Sequence, residues 1–116
     1  MKYSPLPSQD SFEENDSEVV IGSNAQENWK IIRESEPSHV WFHLNSFPSP
    51  HVIIRSDNPT PSEIEAAAIL CKSRSKYKNV RNIKVVYTKV DNLELGDEVG
   101  SVHIISERGC KYFRIL

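Results

Sequence analysis

A chain of 116 residues with 38% hydrophobic and 26% charged residues has room for one domain with one core, not for two. Its formal net charge of −2 falls short of the strongly basic balance of a dedicated nucleic-acid binder, and Cys71 and Cys110 are too few and too widely spaced for a disulfide framework. No apolar run approaches the ~20 residues of a membrane span and no apolar segment opens the N-terminus, so a cytoplasmic protein with free thiols is expected, the nucleus being the other compartment open to it.

Residues 1–16 combine Pro5, Pro7, serines and acids with little apolar content, and are expected to form a disordered tail, leaving 17–116 as one folded domain. Charge is uneven along the chain. Asp10, Glu13, Glu14, Asp16 and Glu18 against Lys2 give −4 over residues 1–18, which leaves 19–116 at +2. Residues 17–22, Ser-Glu-Val-Val-Ile-Gly, read as a short β-branched strand that stops at a glycine. A helix follows over 24–35: Asn24 can cap it, Glu27 stands three residues on as in a capping box, and Ala25, Asn28-Trp29 and Ile32 recur at helical spacing before Pro37.

The next stretch organises the rest. His39-Val40-Trp41-Phe42-His43-Leu44 and, across a short Pro/Ser turn, His51-Val52-Ile53-Ile54-Arg55 both alternate with period two and read as a hairpin. Val40, Phe42, Leu44, Val52 and Ile54 form an ordinary apolar face. The other face carries His39, Trp41, His43, His51, Ile53 and Arg55, a costly set to gather unless it is packed or contacted.

After the turn at 56–59, Thr60-Pro61-Ser62-Glu63 is a helix start with Thr60 as N-cap, Pro61 at the first position and Glu63 at the third. Ile64, Ala67-Ala68 and Cys71 make a stripe suited to lying close on a sheet. Between Lys72 and Lys84 stand Lys72, Arg74, Lys76, Lys78, Arg81 and Lys84 with no acid, the strongest charge run in the chain. Residues 83–88 read as a strand and 90–97 as a polar connection, while 101–106 and 112–115 read as a terminal hairpin turned through Glu107-Arg108-Gly109. The fold class expected is α+β, a largely antiparallel sheet of about five to six strands with two main helices on one side of it.

Several of these residues carry a resemblance. Trp41-Phe42-His43 followed by Ser49-Pro50-His51-Val52-Ile53-Ile54-Arg55 resembles the signature of the NFACT-R domain, found in ribosome-associated quality-control factors and in small stand-alone proteins. The likeness covers roughly residues 18–116 and takes in Gly22, Glu27-Asn28, Ile31-Ile32, Ala66-Ala67, residues 73–75, Val85-Val86-Tyr87-Thr88, Asn92-Leu93 and Gly100-Ser101-Val102. The resemblance implies an RNA-binding module, for tRNA or rRNA, acting in translation or ribosome-associated quality control.

Two clusters are candidate sites. Trp41, His43 and His51 with Arg55 would stack on unpaired bases while the cation holds phosphate; alternatively Trp41 lies under the first helix and the imidazoles bond to backbone. Lys76, Lys78 and Arg81 lie in a loop where their reach is least committed to helix packing, and would hold phosphates; the plainer reading is a solvated face. A protein-interaction module binding an acidic partner, such as a ribosome-associated protein, is the competing class. His39, His43, His51, His103, Cys71 and Cys110 lack Cys-x-x-Cys or His-Glu-x-x-His spacing, so no metal or cofactor is expected. Cys71 sits on the apolar stripe, Cys110 has no evident base, and Glu63 is better explained as a cap, so no catalysis is expected.

Overall fold

A computed structural model describes residues 17–116 of the chain; the tail expected over 1–16 lies outside the described residues. The elements follow in the order β1 (Glu18–Gly22), α1 (Ala25–Arg33), β2 (Val40–Leu44), β3 (His51–Arg55), α2 (Pro61–Ser73), β4 (Ile83–Lys89), β5 (Leu93–Leu95), β6 (Val102–Ile104) and β7 (Lys111–Ile115). Five strands form an antiparallel sheet in the order β1-β3-β2-β4-β7, and β5 and β6 pair as a separate ribbon. This is the α+β class read from the pattern.

Register follows the alternation. Val40, Phe42 and Leu44 of β2, Val52 and Ile54 of β3, and Ile83 and Val85 of β4 face α2, whose Ala67, Ala68 and Cys71 are fully buried against them. The small alanines let the helix axis approach the sheet. The start of α2 is fixed as its sequence requires: the Thr60 hydroxyl accepts from the Glu63 N–H at 3.1 Å and a Glu63 carboxylate oxygen accepts from the Thr60 N–H at 2.9 Å. The second Glu63 oxygen accepts from the Ser17 N–H at 3.1 Å, so this cap also holds the entry to β1.

The opposite face of the sheet has its own core. Trp41, Ile53, Val86 and Val90 pack against Ile31 and Ile32 of α1, with Leu93, Val102 and Ile104 of the ribbon closing the cluster. The two helices therefore lie on opposite faces, not on one side. The reason is chemical: an indole and an isoleucine in the middle of a sheet present apolar area that water would penalise, and α1 with the ribbon removes it.

The terminal hairpin is a second correction. β6 pairs with β5, and β7 pairs with β4, Val85 facing Phe113 and Val86 facing Tyr112. Phe113 and Ile115 join the α2 core whereas Val102 and Ile104 join the α1 core, so these two strands belong to different layers. The 3-10 turn Glu107–Gly109 carries the chain between layers instead of closing a hairpin. The stretch 90–97 likewise holds β5, because Leu93 has apolar area to bury on the Trp41 cluster.

Candidate nucleic-acid interface

The residues of the β2–β3 hairpin form a connected polar group. Trp41 is only 2% exposed, and its Nε1–H donates to His51 Nδ1 at 3.1 Å. An indole N–H can only donate, so neutral His51 must carry its proton on Nε2. His43 Nδ1 lies 2.7 Å from the Leu44 carbonyl, which can only accept, so His43 holds its proton on Nδ1 and leaves Nε2 as an acceptor. The His43 ring stacks on Trp41 with centroids 5.7 Å apart and meets His51 edge-on at 5.0 Å. Burial, and secondarily any charge on neighbouring His43, pushes His51 down to about 3; burial lowers His43 against the opposing pull of its Leu44 bond. Both rings are neutral near pH 7, one a fixed donor and one a fixed acceptor.

These side chains line a cleft of about 610 Å³. Its floor is the sheet, with Trp41, His43, His51 and Val86; Val102, His103 and Ile104 of the ribbon form one wall, and Phe47 and Pro48 of the β2–β3 turn form the other. The ribbon wall is anchored to α1. Trp29 Nε1–H donates to the Ser101 carbonyl at 2.8 Å. Gly100 has φ +92°, and a Cβ there would stand 2.8 Å from the Ala25 Cα, so both conformation and contact demand glycine.

The loop of residues 74–82 is ordered by its own bonds: Lys72 Nζ donates to the Lys78 carbonyl at 2.7 Å, the Tyr77 N–H to Ser75 Oγ at 3.0 Å, and the Val80 N–H to the Tyr77 carbonyl at 3.0 Å. Lys72 is thus spent on holding the loop, while Lys76, Lys78 and Arg81 project into solvent. Tyr77, flanked by two of these cations, meets the cleft residue Phe47 with ring centroids 4.7 Å apart. The Asn45 N–H donates to the Lys84 carbonyl at 2.8 Å, tying the turn to the start of β4. The loop therefore stands at the end of the sheet beside the β2–β3 turn, where Tyr77 packs on the α2 core and meets the cleft through Phe47.

Of the residues singled out in the sequence, Trp41, His43 and His51 come together in the cleft, and Lys76, Lys78 and Arg81 share the adjoining loop. Trp41 is a packed residue whose indole face is covered, not an open stacking plane. Arg55 stands apart at the far end of β3, where Glu18 and Glu34 carboxylates each approach its guanidinium to 3.7 Å. His39 accepts from the Glu36 N–H in a turn. Among the described residues no group of three or more histidine, cysteine or acidic side chains is placed to hold a metal ion. Cys71 is buried, its thiol pushed up to about 11 by that burial.

Sequence reasoning missed Phe47 and Tyr77. Phe47 is 39% exposed, a large apolar ring left at the lip of a cleft. The available signal was the interleaving of an aromatic with lysines in Lys76-Tyr77-Lys78, a pattern suited to polyanions with planar bases.

A family model described as the NFACT protein RNA binding domain matches residues 10–105 of the chain. The Rqc2 homolog RqcH of Bacillus subtilis is 30% identical over 77 residues, 66% of this chain and 14% of that protein. The coiled-coil domain-containing protein 25 homolog of Dictyostelium discoideum is 31% identical over 103 residues, covering 81% of this chain and 50% of its own length. In fold, the chain is similar to the C-terminal part of the fibronectin/fibrinogen-binding protein from Streptococcus suis, with a TM-score of 0.79 and 20% identity over 99% of this chain and 50% of that one. The chain spans half or less of the length of each of these proteins.

Proposed function

The chain belongs to the NFACT RNA-binding domain family, and from that membership we propose that it binds tRNA or rRNA, without catalysis, in ribosome-associated quality control. Lys76, Lys78 and Arg81 hold backbone phosphates. His43 and His51 shape the adjoining cleft, and Trp41 acts from beneath by fixing the His51 tautomer and closing the floor. Arg55, engaged by two carboxylates far from the loop, is left out of the interface.

One observation supports this reading above the others: three exposed cations stand on an internally bonded loop that touches the cleft through the Phe47–Tyr77 pair. Phosphate contacts of this kind supply affinity that falls with salt, while neutral polar groups and aromatic rings beside them meet bases. No helix among the described residues is long and apolar enough to cross a membrane.

The test is a titration of labelled tRNA at two salt concentrations, with the parent protein and a Lys76→Ala/Lys78→Ala/Arg81→Ala variant. Each lost contact lowers the slope of log affinity against log salt by roughly 0.7–0.9, so the variant's slope falls by about 2 or more. Failure of the parent protein to bind tRNA or rRNA at either salt overturns the proposal and leaves an acidic protein partner for this surface.

A further inference from the structure

Register places two more cations on the cleft face of the sheet. Lys84 and Arg114 are directly opposite each other across β4 and β7, one step beyond the row His43, Val86 and Tyr112. Directly opposed like charges in an antiparallel pair repel and destabilise the sheet. Among the described residues neither forms an ion pair with a carboxylate, and both are exposed; Lys84 Nζ rests 5.6 Å from the Tyr112 ring centroid. The ring attracts Lys84, whereas no carboxylate among the described residues neutralises Arg114.

The cleft beside them has the opposite character. Its polar lining is chiefly uncharged: the His51 Nε2–H donor and the His43 Nε2 acceptor are fixed in kind by the bonds their other nitrogens make. Its one acid, Glu107, accepts from the Tyr112 hydroxyl at 3.4 Å. A carboxylate and neutral imidazoles repel or ignore a phosphate but suit the mixed donor and acceptor edge of a base. At about 610 Å³ the cleft lies within the roughly 300–1,000 Å³ typical of small-ligand sites.

Resting on the RNA-binding reading above, we propose that Lys84 and Arg114 form a second phosphate seat, distinct from the 76–81 loop, and that the nucleotide it holds is unpaired, with its base seated in the cleft between His43, His51 and Phe47. A base in a duplex cannot enter a cleft floored by a sheet without leaving its stack, so the site selects single-stranded or looped RNA over a continuous helix. Phe47, exposed at the lip and braced by Tyr77, is the ring on which the neighbouring base stacks.

The experiment uses a labelled single-stranded RNA oligonucleotide, the same strand annealed into a blunt duplex, and the single strand with every base removed over its central half. The parent protein binds the single strand at least tenfold tighter than the duplex or the abasic strand. Lys84→Ala/Arg114→Ala lowers the salt slope on the single strand by about 1.4, at roughly 0.7 per contact, with the fold retained by circular dichroism. His43→Phe leaves the salt slope unchanged and lowers the single-strand preference at least threefold. Equal binding to strand and duplex, or an unchanged salt slope in the Lys84/Arg114 variant while the Lys76/Lys78/Arg81 variant still loses slope, overturns this inference alone. Absence of binding to any RNA, tRNA and rRNA included, overturns it together with the reading on which it rests.

Discussion

Replacing Trp41 separates a packing role from a contact role. The indole is 2% exposed between Ile31, Ile32, Ile53, Val86 and Val90, and it satisfies His51 Nδ1 at 3.1 Å. Trp41→Ala removes the whole ring system from a closed core, a change that costs about 3–5 kcal/mol in comparable sites. It also strands a buried acceptor on His51, adding roughly 1 kcal/mol. Against a total stability of about 5–15 kcal/mol this removes roughly a third or more of what holds the fold. Trp41→Phe keeps one ring and loses the hydrogen bond, and is expected to cost about 2 kcal/mol, a midpoint drop on the order of 8–16 °C for a domain near 100 residues. Urea titrations followed by circular dichroism measure both, and Trp29 remains as an independent fluorescent reporter on α1. At a temperature where Trp41→Phe is folded, its salt slope on tRNA matches the parent's, because the phosphate contacts lie on the 76–81 loop. A variant whose stability changes by less than about 0.5 kcal/mol while its tRNA affinity falls tenfold would refute the placement of the indole in the core.

His51 makes stability pH-dependent in a defined direction: its folded pKa lies near 3 and its unfolded value near 6.5, so protons favour the unfolded chain, and stability falls as pH drops below about 6.5 and levels off near 3. Near pH 5 the loss is about 2 kcal/mol, deepened by the lowered His43, and His51→Gln, measured by denaturant titration across pH, flattens that slope. Glu63→Ala removes the capping box and the tie to Ser17 together, and is expected to cost about 1–2 kcal/mol with earlier fraying of β1, read by amide hydrogen exchange. Gly100→Ala forces a side chain into left-handed backbone and into Ala25, costing about 1–3 kcal/mol and displacing the ribbon wall of the cleft, seen as amide shift changes over 96–104.

Much of the fold was legible where one local rule governs a segment. The two faces of the β2–β3 hairpin followed from alternation alone, the Thr60–Glu63 box appeared as spelled, and the Ala67-Ala68-Cys71 stripe fell against the sheet. What could not be read was partnership. β5 and β6 are three residues each, too short for their pattern to say whether β6 joins β5 or β7, and that choice is decided by two cores on opposite sides of the sheet. For α1 the chain left two readings, both helices on one side of the sheet or Trp41 beneath the first helix, and the structure shows the second.

The candidate site shows the same boundary. The chain placed imidazoles and indole on one strand face, and the cations in one run, by simple proximity in sequence. Arg55 belonged to that face by parity, yet Glu18 and Glu34 reach it from β1 and from the end of α1, contacts that no spacing announces. Phe47 looked like part of a Pro/Ser turn until Tyr77 was seen beside it. The Lys84–Arg114 opposition needed the β4–β7 register, which the expected terminal hairpin had hidden.

The proposed RNA interface runs from the 76–81 loop across Phe47 into the imidazole cleft. Photo-cross-linking of tRNA to the protein, followed by mass mapping of the modified peptides, reads that surface directly. Adducts are expected within residues 41–51 and 72–84. Adducts confined to the outward side of α2, around Glu65 and Ile69, or to the β1 edge, would contradict it.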